Sequence, residues 1–286
     1  MKEYNWVLSW TVIEAEIRRV AERTGRALKP RKTSRSSNLH PEDFRLEGGT
    51  LWRFPKRGAW AVHDGDYRGN WPPQLVRNLI LRYTSEGDLV VDPTVGGGTT
   101  AIESALLRRA CVASDISPHA ISLTRRKIAE LKSLVNKQSG RRFVVPTVRR
   151  ADARHLSFVK DHSAKLVCLH PPYWNLLRYT YAVEGDLSRI RDLDDYLTEL
   201  KRIASEAYRI VRPDGYGAVL IGDIRNRGHF EPLGFKVFQA FTHAGFVPEN
   251  VIIKSQHHDR STQFYVRGKT RNLLFEHEYV FIFQPS

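Results

Sequence analysis

The sequence has few cysteines, a deficit of acidic residues and no long apolar run. Its two cysteines, Cys111 and Cys168, lie in apolar segments, which predicts core residues and neither a disulfide nor a metal cluster. No stretch approaches the roughly 18 to 20 apolar residues of a membrane span. The N-terminus has no apolar h-region of a secretory signal. We therefore expect a cytoplasmic protein that binds no membrane and no metal.

The shortage of acidic residues gives the chain a strong positive charge. Its 286 residues include 45 lysines and arginines against 31 acidic residues, a net charge of +14 at pH 7. Such a field attracts polyanions, above all nucleic acid, although a basic surface without a partner has the same composition. A cluster of five basic residues and no acid, RALKPRKTSRSS at 26–37, predicts a loop or a disordered arm.

Two regions differ in pattern. Residues 1–60 predict a small basic extension, with one amphipathic helix at 6–24 followed by the arm. Residues 61–286 alternate apolar strand segments with helical ones, which predicts a Rossmann-like, doubly wound parallel α/β sheet. The predicted strands are 88–92, 111–115, 144–150, 165–170, 216–223, 250–254 and a last one in EYVFIFQ. Ligands of such sheets bind at the carboxyl ends of the strands.

The stretch DPTVGGGTT, residues 92–100, follows the first of these strands. Its glycines allow a tight turn and a close approach of a ligand to the backbone. Asp115 ends the next strand, where a carboxylate can bind a ribose diol. A dinucleotide fold shares that acid, but its motif is GxGxxG, and Asp92 before the glycines would repel a pyrophosphate. A ligand with a cationic amine, a ribose and an adenine fits better, as in S-adenosylmethionine.

A second motif, HPPYW at 170–174, follows another buried strand. Two prolines stiffen the turn, so that backbone carbonyls and the ring of Tyr173 can hold a flat base. A proline-stiffened loop with a core tyrosine would look the same in isolation, but the glycine turn upstream favours the binding site.

Together these motifs resemble the DNA amino-methyltransferases, which methylate N4 of cytosine or N6 of adenine. The glycine motif is similar to the family's usual DPFxGSGTT and departs from it at Thr94 and Gly97. HPPY resembles the catalytic tetrapeptide, which usually begins with Asp, Asn or Ser. The stretch 65–83 and the closing HEYVFIFQ also resemble family motifs, over residues 63–285 in all. The motif order resembles the gamma arrangement, and the resemblance implies a seven-stranded sheet.

The resemblance implies roles for individual residues. Asp92 would face the amine of S-adenosylmethionine, Asp115 its ribose and Asp152 its adenine. The full set of implied cofactor contacts is Asn70, Trp71, Asp92, Thr94, Gly96, Gly98, Thr99, Thr100, Asp115, Ile116, Asp152 and Ala153. The implied catalytic residues are His170, Pro171, Pro172 and Tyr173.

The implied reaction acts on a base that is flipped out of duplex DNA. Tyr173 would stack on the base, while His170 and the carbonyl of Pro171 accept hydrogen bonds from its amine. A neutral histidine offers one acceptor and no charge, closer to the serine common among cytosine enzymes, so we favour N4 of cytosine over N6 of adenine. His170 serving only for packing, an RNA base methyltransferase and a non-catalytic nucleic-acid-binding module stay open as alternatives.

Contacts to DNA are expected from basic residues and one aromatic residue near the motifs. These are Arg26, Lys29, Arg31, Lys32, Arg35, Trp174, Arg178, Arg267, Lys269 and Arg271. The recognition sequence would be read by the N-terminal arm, by 175–192 or by 255–272, because no large insert follows Tyr173.

Overall fold

The computed structural model of the protein describes residues 38–139, 143–256 and 273–286, so the predicted N-terminal helix and basic arm lie outside it. The helices in these ranges are α1 (Pro73–Tyr83), α2 (Thr99–Leu106), α3 (Pro118–Ser139), α4 (Leu193–Ile210) and α5 (Leu233–His243). The strands are β1 (Leu51–Trp52), β2 (Leu89–Asp92), β3 (Ala110–Asp115), β4 (Thr147–Arg150), β5 (Ala164–Leu169), β6 (Val211–Ile221), β7 (Ile224–Asn226), β8 (His229–Glu231), β9 (Phe246–Ser255) and β10 (His277–Pro285).

Eight of these strands form one sheet in the order β1-β9-β10-β6-β5-β2-β3-β4. Strands β6, β5, β2, β3 and β4 run parallel to one another, which confirms the predicted Rossmann-like α/β sheet. The exception is β10, which runs antiparallel to both β6 and β9. Strand β10 is the next described strand after β9 in the sequence and its neighbour in the sheet. Because the two are antiparallel, the chain reverses its direction between them. Strands β7 and β8 form a separate two-stranded ribbon.

The eighth strand comes from the N-terminal side of the predicted domain boundary. In β1, Leu51 and Trp52 pair in parallel with Ile253 and Lys254 of β9. Trp52 is 1% exposed and packs in the core beside α1. Residues 38–60 therefore contribute to the sheet, which has one strand more than the expected seven.

A buried carboxylate on α2 anchors the segment that precedes α1. Glu103 is fully buried and accepts hydrogen bonds from Trp60 Nε1 at 2.8 Å, His63 Nε2 at 2.7 Å and Arg77 Nη1 at 2.8 Å. A buried charge is stable only when it is paired and hydrogen-bonded, as it is here. The Lys127 Nζ atom fixes the next part of the segment through an ion pair with Asp64 at 2.6 Å. These contacts place the following residues, GDYRGNW, over the glycine turn.

Helix α4 shows how the pattern of apolar residues builds the core. Its N-cap, Asp192, accepts hydrogen bonds from the backbone N–H groups of residues 194 and 195, which satisfies donors that a helix start leaves free. Leu200, Ile203 and Ile210 follow at helical spacing and are at most 2% exposed. Each such side chain contributes roughly 1.5 to 3 kcal/mol on burial, so this face keeps α4 on the sheet.

Cys111 and Cys168 are both buried, as predicted for core residues, and both are free thiols. In the described ranges, no helix has the length and apolar character needed to cross a membrane. Within the same ranges, no group of three or more histidine, cysteine or acidic side chains is placed to hold a metal ion.

Candidate active site

The three glycines between β2 and α2 form a turn without room for side chains. Gly96 and Gly98 have φ angles of 51° and 87°, in the left-handed region that favours glycine. A Cβ on Gly96 would lie 2.8 Å from the ring of Tyr67, and one on Gly97 would lie 2.8 Å from Asn70 Nδ2. The loop that carries Tyr67 and Asn70 packs directly on the turn. This contact explains the glycine at 97, where the usual family motif has serine.

Asp92 ends β2 and is 1% exposed. Its Oδ1 atom accepts a hydrogen bond from the backbone N–H of Thr94 at 2.9 Å, whereas Oδ2 is buried and has no hydrogen bond of regular geometry to a described residue. Burial raises the pKa of Asp92 to about 7, because water no longer stabilises the charged form. The Thr100 hydroxyl is close enough to the carboxyl to oppose the effect of burial on its pKa. A buried carboxylate oxygen of this kind suits a cationic ligand group.

Asp115, at the end of β3, receives two backbone hydrogen bonds. Its Oδ2 accepts from the N–H of Gly96 at 2.9 Å, and its Oδ1 accepts from the N–H of Ser117 at 2.8 Å. Burial raises the pKa of Asp115 to about 6, although both hydrogen bonds act against the shift. Each oxygen keeps a further lone pair, so the carboxylate can still accept from a ribose diol.

Asp152 follows β4 and is held by an arginine. Its Oδ1 accepts from both the backbone N and Nε of Arg154, each at 2.9 Å. Burial raises the pKa of Asp152, but the bonds to Arg154 outweigh it and leave the pKa lowered. Arg154 also pairs with Glu199 and donates to the carbonyl of Gly185 at 3.2 Å. It therefore ties the 175–192 segment, a candidate for sequence recognition, to the adenine-binding end expected around Asp152.

The tetrapeptide follows β5, and its two proline carbonyls differ in their hydrogen bonding. The carbonyl of Pro172 accepts from Tyr196 Oη at 2.7 Å and from the N–H of Trp174 at 2.8 Å. The carbonyl of Pro171 accepts no hydrogen bond from any described residue. Burial lowers the pKa of His170 to about 4, so its imidazole is neutral at pH 7. The tetrapeptide thus offers a neutral ring and a free backbone acceptor.

Tyr173 is partly exposed, and its hydroxyl is already engaged. It donates to Glu278 Oε1 at 2.5 Å, and Lys254 Nζ donates to Oε2 of the same carboxylate at 2.5 Å. The Tyr173 ring packs against Gly222, where a Cβ would lie 3.1 Å away, and its centroid is 5.6 Å from that of His170. Sequence reasoning missed Glu278 and Lys254, because they come from distant strands. The stacking of Tyr173 on a base stays a prediction.

Ten of the sixteen predicted cofactor-binding and catalytic residues line one cleft at the carboxyl ends of β2 to β5. Those that line it are Asn70, Trp71, Thr94, Gly96, Asp115, Ile116, Asp152, Ala153, His170 and Pro172. Those that do not line it are Asp92, Gly98, Thr99, Thr100, Pro171 and Tyr173. Thr99 instead donates from Oγ1 to Asn70 Oδ1 at 2.8 Å, so it acts on the cleft by orienting Asn70.

Two tyrosines that sequence reasoning did not single out form part of the cleft wall. The rings of Tyr67 and Tyr179 are stacked, with centroids 6.2 Å apart and an interplanar angle of 16°. Burial raises the pKa of both hydroxyls, that of Tyr179 to about 12. Asp186, 5% exposed, accepts from Thr180 Oγ1 at 2.6 Å and also lines the cleft. The signal for Tyr67 lies in the GDYRGNW stretch, whereas nothing in the local sequence marks Tyr179.

The predicted DNA contacts separate into three groups. Trp174 is 5% exposed and belongs to the core. Its φ of 48° turns the chain. Little of the ring is accessible, and its contact with DNA stays a prediction. Arg178 is exposed, as is Arg68, which was not predicted. Arg26, Lys29, Arg31, Lys32, Arg35, Arg267, Lys269 and Arg271 lie outside the described residues and stay predictions.

Comparison with known proteins identifies the family. The model of the DNA methylase family named N6_N4_Mtase matches residues 3–126 and 164–286. The chain therefore belongs to this family of DNA amino-methyltransferases.

Individual relatives match over shorter stretches. The Type II methyltransferase M2.MboI of Moraxella bovis is 30% identical over 88 residues, which are 31% of this chain and 32% of that protein. The orphan methyltransferase M.BamHII of Bacillus amyloliquefaciens is 28% identical over 115 residues, which are 38% of this chain and 43% of that protein. The chain thus matches less than half the length of either relative. A solved methyltransferase from Methanosarcina mazei, described as SAM-dependent, superimposes with a TM-score of 0.48 at 16% identity, over 72% of this chain and 96% of that one.

The family's methyl donor is S-adenosylmethionine, and the site fits it. Asp92 ends β2 directly before Pro93 and Thr94, which line the cleft, and its Oδ2 atom has no regular hydrogen bond to a described residue. Asp115 and Asp152 line the same cleft at successive strand ends, as binding of a ribose and an adenine requires. When bound, this cofactor supplies an electrophilic methyl group on a sulfonium.

Proposed function

We propose that the protein transfers a methyl group from S-adenosylmethionine to an exocyclic amine of a base in duplex DNA. The observation that carries the proposal is that His170 and Pro172 line the same cleft as Asp115 and Asp152. The residues expected to hold a nucleoside cofactor thus share one cavity with His170 and Pro172, the two residues on either side of the proposed acceptor carbonyl of Pro171. Family membership supports DNA as the substrate.

The proposed mechanism consists mainly of positioning. The base leaves the stack, because its amine cannot be reached inside the duplex. The free carbonyl of Pro171 and the imidazole of His170 accept hydrogen bonds from the amine and direct its lone pair toward the methyl group. Tyr196 keeps Pro172 in place through its hydrogen bond to the carbonyl. Holding reactants in line in this way is itself a large part of catalysis, and no covalent intermediate is required.

We favour N4 of cytosine as the acceptor and N6 of adenine as the second candidate. Burial lowers the pKa of His170 to about 4, so this residue brings one neutral acceptor to the amine in place of a carboxylate. That character resembles a serine at this position more than an aspartate. The gamma-like order of motifs favours adenine, and the experiment below separates the two bases.

The protein should be expressed in a host that lacks both marks, and its DNA and tRNA digested to nucleosides for mass spectrometry. N4-methylcytosine in the DNA is the expected result. N6-methyladenine without N4-methylcytosine would show that adenine is the target base. A new mark confined to tRNA would show that the protein is an RNA methyltransferase. Tyr173→Ala, with folding checked by circular dichroism, should remove the mark. A folded wild-type protein that leaves no mark in either nucleic acid would contradict the proposal.

A further inference from the structure

Glu278 on β10 and Lys254 on β9 hold the hydroxyl of Tyr173 in place. The hydroxyl donates to Glu278 Oε1 at 2.5 Å, and Lys254 Nζ donates to Oε2 at 2.5 Å. Hydrogen bonds to ionised groups are short and strong. The side chains of Glu278 and Lys254 are 11% and 13% exposed, so water competes little for either bond.

The charge of Glu278 is maintained at neutral pH. Burial alone raises the pKa of the carboxyl, but the attraction of Lys254 and His170 and the hydrogen bonds from Lys254 and Tyr173 together outweigh it and leave the pKa lowered. The carboxylate therefore accepts the single proton of the Tyr173 hydroxyl. Although His170 Nε2 lies 3.3 Å from this hydroxyl, Tyr173 cannot donate to it at the same time. Glu278 thus brings a carboxylate to a tetrapeptide that begins with a histidine.

The ring of Tyr173 is also confined on its sides. Gly222, next to the end of β6, leaves space that a side chain would close, since a Cβ there would lie 3.1 Å from the ring. The His170 ring also makes an edge contact with the Tyr173 ring, at an interplanar angle of 67°. With the hydroxyl fixed at its far end, the ring has one well-defined plane.

We propose that Glu278, supported by Lys254, is a positioning residue that sets the plane of Tyr173 for the base that receives the methyl group. The inference rests on the proposed function and deepens it. Glu278 touches neither base nor cofactor, and it acts through the Tyr173 hydroxyl. Strands β9 and β10, which carry Lys254 and Glu278, thereby take part in the reaction.

A double-mutant cycle tests this dependence. The rate of methyl transfer to unmethylated plasmid DNA should be measured for Tyr173→Phe, Glu278→Leu and the double variant. Each single substitution should lower kcat about 10-fold, within the roughly 100-fold that misplacement of a reacting group can cost, and leave the Kd for the cofactor unchanged. The double variant should be no slower than either single variant, because both remove the same hydrogen bond. A loss near the product of the two effects would overturn the inference.

Glu278→Gln provides the conservative variant, since its amide oxygen can still accept from Tyr173, and it should recover most of kcat. If Glu278→Leu does not fold, Glu278→Leu/Lys254→Met takes its place, because it leaves no unpaired charge. The matched control is Tyr279→Phe, which removes another tyrosine–carboxylate bond on β10, that to Asp223 at 3.1 Å. Its kcat should stay within about twofold of wild type. A loss as large as that of Tyr173→Phe would contradict a specific role of Glu278.

A second readout separates this inference from the proposed function. The cycle of Tyr173→Phe and Glu278→Leu can be repeated with urea unfolding, which requires no activity. Non-additive shifts of the unfolding midpoint are expected, because the two side chains share one hydrogen bond. A wild-type protein that methylates nothing would end the proposed function, whereas additive midpoint shifts would end the inference alone.

Discussion

The backbone N–H of His170 donates a hydrogen bond to Oγ1 of Thr94, 3.0 Å away. The same Thr94 oxygen lies 3.4 Å from Asp92 Oδ1, and the Thr94 hydroxyl can donate its proton to it. Thr94 and His170 are two of the positions at which the chain departs from the usual family motifs. The structure shows that they are neighbours, so that the turn after β2 and the tetrapeptide after β5 are directly joined.

Thr94→Val should weaken this junction without changing the size of the side chain. The N–H of His170 then loses its partner, at a cost of about 1 to 3 kcal/mol in the free energy of unfolding. We expect a lower kcat as well, because His170 is no longer held. Urea unfolding and methyl-transfer rates measure the two effects. Thr94→Ser keeps the hydroxyl and should behave like wild type, and an equal loss in both variants would argue against the hydrogen bond.

Asp92 makes stability depend on pH in a predictable direction. Its folded-state pKa of about 7 lies above the 3.8 of an ordinary aspartate, so the folded protein binds the proton more tightly than the unfolded chain. The stabilising effect is complete below about pH 4 and is lost as the pH rises through about 7. Asp92→Asn should therefore be more stable than wild type at pH 8, and that advantage should shrink toward pH 5.

Urea midpoints across this range provide the measurement. The exposed Asp66→Asn serves as the control and should leave the pH profile of wild type unchanged. In calorimetry, Asp92→Asn should also bind S-adenosylmethionine more weakly, since the proposed contact with the amine requires the charge of the carboxylate. Unchanged affinity would mean that Asp92 does not meet the cofactor.

Gly97→Ser restores the residue usual in the family and should nevertheless destabilise this protein. The new Cβ would lie 2.8 Å from Asn70 Nδ2 and from Tyr67 Cβ, so the loop over the turn has to move. Overpacking of this kind costs about 1 to 3 kcal/mol. Thermal unfolding and cofactor affinity should both decrease. Gly48→Ser, where a Cβ meets nothing within 4 Å, is the control, and equal effects at both positions would refute the steric explanation.

Arg68 and Arg178 flank the stacked tyrosines in sequence, and both are exposed. If they contact phosphates, Arg68→Ala/Arg178→Ala should weaken binding to all duplex sequences. It should also reduce the slope of log K against log salt concentration by about 1 to 2. Fluorescence anisotropy over a range of salt concentrations measures the slope. Lys201→Ala, at an exposed position of α4, should leave it unchanged, and a wild-type slope in the double variant would exclude the phosphate contacts.

Much of the site could be predicted because it consists of short motifs at strand ends. A strand followed by DPTVGGGTT, and another followed by HPPY, each determine their own backbone through glycine and proline. In a parallel sheet the carboxyl ends of neighbouring strands meet at one edge, so Asp115, Asp152 and His170 were expected together and line one cleft.

Long-range contacts were not predictable in the same way. Trp174 follows the tetrapeptide and carries no local sign that its ring enters the core. Tyr179 lines the cleft together with Gly185 of the same segment, and Arg154, which follows β4, donates to the Gly185 carbonyl. Such positions depend on which segments pack against each other, and neither hydrophobic periodicity nor residue type records that.

The sequence by itself determined the alternation of strands and helices, the cofactor turn and the rigid tetrapeptide, since these follow from spacing and backbone restrictions within a few residues. Only the tertiary structure decided that β10 runs antiparallel between β6 and β9, and that β1 extends the sheet. The antiparallel insertion brings Glu278 and Lys254, which are 24 residues apart, into contact beside Tyr173. Charge pairs of this kind arise from strand order and register, because only the assembled sheet removes them from water together.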